Sequence, residues 1–177
     1  GQPANYLYPM GADLWVIGVW AASFGLLDLS QAYGVSLWLF YALLGYATYR
    51  LGRVVGGRAV GVLAAVWMLA DGGAFRAGGW VFTMEWGVWP QTLSVAFATL
   101  AVAELPALME GEDWRPLARF GGCLGVAILC HPLQLVFALV VVTAAALLQA
   151  LTNRGWLQSL FRLGLAAGLA FALAGIW

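Results

Sequence analysis

Asp71, Arg76, Glu85 and His131 are side chains capable of chemistry in a chain that otherwise avoids charge. Glu85 lies in "MEWGVWPQTLS", residues 84–94, where an acid, two tryptophans, a glycine and a proline precede a return to apolar residues. A carboxylate there can accept a sugar hydroxyl or pair with Arg76. Arg76 can grip a phosphate through two parallel N–H bonds. His131 is the only histidine. It can contact a substrate, cap a helix end, or serve as the axial ligand of a haem or chlorophyll. A zinc site needs three or four protein ligands, so no metal site is expected. Plainer readings stand beside these. Glu85 can be a solvated loop acid, and Trp80, Trp86 and Trp89 an interfacial aromatic belt.

The elements that must position these groups follow from composition. The chain has 177 residues, 63% hydrophobic and 9% charged, with mean hydropathy +0.88. Soluble domains carry about 25% charged residues. Too little polar surface remains to coat a globule in water. We expect an all-α polytopic integral membrane helix bundle, with about six to seven apolar helices, some short or interfacial, forming a single transmembrane domain over 1–177. Runs such as "LVFALVVVTAAALLQAL" do not alternate as barrel strands would. Zero net charge points away from nucleic acid. All eight basic residues are arginines, so a retinal Schiff base and a P-loop, both of which need lysine, are excluded. No cofactor is required by the sequence. Cys123 and Cys130, seven apart in one apolar segment, are separated by about 10 Å of helical rise, too far for a disulfide. The chain begins without an initiator Met and stops inside an apolar run, as a piece of a longer protein would.

Apolar segments are expected at about 10–27, 33–50, 54–70, 91–109, 117–130, 132–151 and 160–177, with the six prolines at their edges. Arg50, Arg53 and Arg58 form one cluster, Arg115 and Arg119 a second, Arg154 and Arg162 a third. Two apolar segments separate each cluster from the next, so all three can share one face, cytoplasmic by the positive-inside rule. The long loop 71–90 then lies outside, as a structured loop and not a span. Folding residues 117–151 in half at His131–Pro132 brings both flanking arginines to the cytoplasm. Segment 10–27 either spans or lies along the outer interface. Small-xxx-small patterns such as "GRVVG", "GRAVG", "GGCLG" and "GLAAG" suit close helix packing. Pro90 would open a helix with Gln91, Thr92 and Ser94 in its first turn, a place that favours anions. Tyr8, Glu85, Gln91 and His131 are expected to form a polar, outward-opening cavity.

The order "NYLYPMGADL", an apolar helix, "YRLGRVVGGRAVGVLAA", then a long outer loop resembles the C-type superfamily of polytopic membrane glycosyltransferases. Tyr8–Pro9 and Tyr49–Gly57 match its tyrosine–proline stretch and its basic turn; Trp89–Pro90 and His131 are similar to features of bacterial relatives. The resemblance covers about residues 6–135. It implies a polyprenyl-phosphate sugar donor and sugar transfer on the extracytoplasmic face of a bacterial inner membrane. The family's key aspartate precedes the tyrosine–proline stretch and has no counterpart here, which would leave this chain a fragment without its catalytic acid. The substrate-binding candidates are Tyr8, Asp71, Arg76, Glu85, Gln91 and His131. The alternative is a non-enzymatic transmembrane subunit of a larger membrane assembly, for example a photosynthetic or respiratory complex. Such a subunit would contact membrane lipids, other subunits, or a pigment through His131.

Overall fold

A computed structural model describes residues 10–73, 79–84, 89–110, 113–152 and 156–175. Seven helices and no strand occur among the described residues: α1 (Gly11–Ala22), α2 (Leu29–Ala70), α3 (Gly79–Met84), α4 (Trp89–Glu110), α5 (Trp114–Cys130), α6 (Leu133–Thr152) and α7 (Trp156–Ala174). This is the expected all-α membrane bundle. Four of them, α2, α4, α6 and α7, are long and apolar enough to cross a bilayer.

α2 begins earlier than its apolar run suggests. Asp28 and Gln31 form a reciprocal capping box: the Gln31 N–H donates to Asp28 Oδ1 at 2.8 Å, and the Asp28 N–H to Gln31 Oε1 at 2.9 Å. Two orphan donors are satisfied at once, and the helix starts at Leu29 instead of 33. α2 then breaks at Gly56 and Gly57. Gly57 has φ +82°, a conformation that costs a residue with a Cβ about 1–2 kcal/mol. The chain turns back there, so α2 is a hairpin of two antiparallel arms. A Cβ on Gly52 would come within 2.9 Å of the Gly61 Cα, so only glycine lets the arms approach this closely. Farther along, the Tyr41 hydroxyl donates to the carbonyl of Leu69 at 3.0 Å and closes the hairpin.

α4 is the central post and carries Leu93, Ala96 and Leu108 fully buried. Ser94 ties it to α5 by donating to the Ala127 carbonyl at 2.7 Å. α5 meets α7 along Gly121 and Gly125, whose missing side chains admit the Ala166 and Ala170 backbone. In "GLAAG" the packing residues are the alanines: Ala166 is fully buried, while Gly164 and Gly168 face open space. Five of the six prolines sit where expected or precede the described residues. Pro106 does not: it lies inside α4, which continues to Glu110.

An arginine from each of the three clusters lies at one end of the bundle. Arg50 of α2 and Arg119 of α5 converge on α4, and Arg162 of α7 donates to the carbonyls of Leu108 and Asp113. We call this the arginine end, and the opposite one the far end. α1 packs at the far end. Gly11 touches the Leu129 backbone of α5, and Trp15 lies edge-on to Phe40 and Phe97. With 12 residues it is about 18 Å long, too short to cross ~30 Å of hydrocarbon. Among the described residues between α2 and α4, the only helix is the six-residue α3, which is too short to span. Both cysteines are free.

Candidate functional site

Of the candidates that the sequence singled out, the far end holds Asp71, Gln91 and His131. Tyr8, Arg76 and Glu85 lie outside the described residues. Asp71 caps the end of α2. Its carboxylate accepts from the Gly73 N–H at 2.9 Å, and its carbonyl from the Trp80 N–H at 3.3 Å, so it organises its own loop. Trp80 packs against Tyr41 and Trp38. Gln91 is half-buried in the first turn of α4, beside Thr92, whose hydroxyl pairs with that of Thr83 at 2.7 Å.

His131 ends α5. Its Nδ1 accepts from the Leu133 N–H at 3.2 Å. In the neutral ring the proton therefore sits on Nε2. Partial desolvation holds the imidazole below its ordinary pKa. A pigment's axial position needs an unprotonated nitrogen, so coordination through Nε2 would require breaking the bond to Leu133.

A groove of about 710 Å³ opens at the far end between α1, the start of α2 and the start of α4. Val16, Ile17, Leu29 and Trp89 supply apolar walls, with Asp13, Ser30 and Tyr33 as polar groups. Trp89 stacks on Phe40 and meets Tyr33 edge-on, which fixes the base of the groove. Asp71, Gln91 and His131 are not among its lining residues. The sequence did contain its signals: an acid inside an apolar helix at Asp13 and a tryptophan just before a proline.

The arginine end holds a site that sequence reasoning missed. Glu104, the one acid within segment 91–109, is 8% exposed. Its Oε1 accepts from Arg50 Nη2 at 2.8 Å, and its Oε2 lies 3.5 Å from Arg119 Nη1. Arg50 Nη1 also reaches the Tyr46 hydroxyl at 3.4 Å. Three helices thus share one carboxylate. An isolated buried charge is costly, and pairing with two guanidinium groups offsets that cost. In the sequence Arg50 and Arg119 mark topology; the signal for a site is the single acid, Glu104, within the apolar segment 91–109. Among the described residues, no three His, Cys, Asp or Glu side chains converge as a metal site would require.

The fold and these two sites define a membrane-embedded helical protein with a polar cluster toward each end. A family model matches residues 19–177, and the chain belongs to that family, described as "6-pyruvoyl-tetrahydropterin synthase related domain; membrane protein". No curated protein and no solved structure matches the chain. The family found corrects the resemblance drawn from Tyr8–Pro9 and Tyr49–Gly57. It is a different family from the C-type glycosyltransferases, and those short motifs carried too little information to discriminate. Tyrosine and proline near an interface, and a glycine-rich turn beside arginines, are common in unrelated membrane proteins.

Proposed function

We propose that this chain is a non-enzymatic membrane subunit that holds an amphiphilic, lipid-like molecule in the groove beneath α1. The observation that carries this reading is the groove itself: about 710 Å³, with an apolar base and a few polar groups. That volume falls in the range of small-molecule sites, and that balance of lining is typical of them. An acyl or isoprenoid body suits Val16, Ile17, Leu29 and Trp89. A hydroxyl or amine on the same molecule suits the Asp13 carboxylate and the Ser30 and Tyr33 hydroxyls. We take the membrane to be a bacterial cytoplasmic membrane with the arginine end inside.

The test is a photoactivatable lipid carrying a diazirine in its acyl chain, applied to the protein in bilayers. Peptides containing Ile17 and Leu29 are expected to carry the label, and Ile17→Trp, which fills the groove, to abolish it. Labelling spread evenly over exposed helix faces and indifferent to Ile17→Trp would refute the reading.

A second reading is favoured by α6, where only Gln134 and Ala138 are buried along 20 residues. This helix offers one long apolar face to another subunit of a larger assembly. A photo-crosslinking residue at Val140 is expected to yield one discrete protein adduct in native membranes. Lipid adducts alone would count against it.

A further inference from the structure

The charges around Glu104 do not balance. One carboxylate, 10% exposed at its side chain, faces two guanidinium groups that are 32% and 59% exposed. Each guanidinium carries five N–H donors. Arg50 directs Nη2 to Glu104 and Nη1 to Tyr46, and Arg119 directs only Nη1, at the longer 3.5 Å, to Glu104. Most donors of Arg119 are therefore uncommitted and turned outward. Arg53, three residues from Arg50, and Arg115, four from Arg119, are both exposed and continue the same two helix faces. Arg162, by contrast, is occupied by two backbone carbonyls.

The three members of the cluster also share a depth. Glu104 lies six residues from the end of α4, Arg50 six from the turn at Gly56, and Arg119 five from the start of α5. At 1.5 Å per residue each is about 8–9 Å from its helix end. With the helix ends taken as the membrane surface, that is the level at which lipid headgroups meet the hydrocarbon of the leaflet on the arginine side. By the positive-inside rule this leaflet is the cytoplasmic one, which carries anionic lipid.

We infer that Arg50 and Arg119, bridged by Glu104, form a phosphate site between α2 and α5 that takes the headgroup of an anionic phospholipid. Glu104 orients the two guanidinium groups and cancels one of their charges. The phosphate answers the other, with Arg119 as its main contact and Arg53 and Arg115 at its rim. This site shares no residue with the groove at the far end.

The experiment uses the full chain in detergent, delipidated and then exposed to vesicles of phosphatidylcholine with or without phosphatidylglycerol. Bound lipid is counted by native mass spectrometry. Phosphatidylglycerol is expected to be retained selectively. Arg119→Gln is expected to weaken retention roughly tenfold, the scale of one charge-assisted hydrogen bond. Glu104→Gln frees both arginines and should keep or strengthen retention, provided a melting curve shows the variant folded. Arg58→Gln, at the hairpin turn, should have little effect. Equal losses in Arg119→Gln and Arg58→Gln would reduce the site to diffuse surface charge and overturn the inference. A loss in Glu104→Gln as large as in Arg119→Gln, in folded protein, would overturn it as well. Inorganic phosphate serves as the competing arm. Failure to displace the lipid at millimolar concentration supports the headgroup assignment, and ready displacement would overturn the lipid as occupant in favour of a soluble phosphate.

Discussion

At the scale of single residues, Glu104 sets the behaviour of the arginine end. Glu104→Gln keeps the shape and removes the charge, leaving Arg50 and Arg119 to repel. A fully buried pair broken this way costs about 3–5 kcal/mol, but both arginines are partly solvated, so we expect roughly 1–3 kcal/mol. A melting curve in detergent should show the drop. Adding Arg119→Gln to Glu104→Gln should cost less than the two single changes summed, because the repulsion is gone. His131 gives the opposite sign of charge dependence. Its pKa is depressed in the folded chain from an ordinary 6.5, so the unfolded chain binds the proton first. Its contribution is complete above about pH 6.5 and is lost as pH falls from there through the lower folded value. Protonation at Nδ1 also ends its acceptance from Leu133. His131→Asn, whose Oδ1 can take over that acceptor role, should flatten this part of the pH–stability profile measured by urea unfolding.

At the scale of elements, the hairpin of α2 depends on glycine more than on any side chain. A Cβ on Gly61 would lie 2.7 Å from the Tyr49 carbonyl, so Gly61→Leu must push the arms apart. Overpacking of this kind costs about 1–3 kcal/mol. Cysteines placed at Gly45 and Leu69, which touch across the arms, should cross-link readily in a chain lacking Cys123 and Cys130. Adding Gly61→Leu should suppress that cross-link. Much of this architecture was legible. Hydropathy runs and arginine spacing located the hairpin near residues 50–58, the fold at His131–Pro132, and the helix opened by Pro90. The start of α2 was also available, in the Asp28–Gln31 capping box, but an apolar window overlooks a polar first turn. Pro106 was less legible. Near a helix end, a proline forfeits little hydrogen bonding, so it need not mark an edge. Which glycines pack was not legible at all. "GGCLG" and "GLAAG" have the same spacing, and only the facing surface decides that Gly121 contributes while Gly164 does not.

At the scale of the whole molecule, one end gathers the described arginines and the other holds Trp80 and Trp89. Sidedness then becomes a single yes-or-no question. With Cys123 and Cys130 removed, a membrane-impermeant thiol reagent added from outside is expected to reach a cysteine at Gly72 but not at Gly56 or Asp113. Equal reaction at Gly72 and Gly56 would contradict the arrangement. The candidate sites were less legible than the topology for a physical reason. Loop residues such as Asp71 attract notice because they are polar where polarity is easy, yet its carboxylate serves its own turn. Glu104 is polar where polarity is costly, and its partners lie 54 and 15 residues away in sequence. Only the packing of three helices brings them together.

The two arms of the α2 hairpin are unequal. The first, residues 29–55, measures about 40 Å, and the second, 58–70, about 20 Å. Taken alone, the short arm offers about 10 Å less hydrophobic depth than the ~30 Å hydrocarbon layer. At a fraction of a kcal/mol per Å, such a mismatch amounts to a few kcal/mol. Trp67, 81% exposed near the end of that arm, sits where the step occurs. The molecule should thus act as a local wedge, thinning the bilayer on one flank only. It should partition toward thin membrane regions and away from thick, tightly ordered ones.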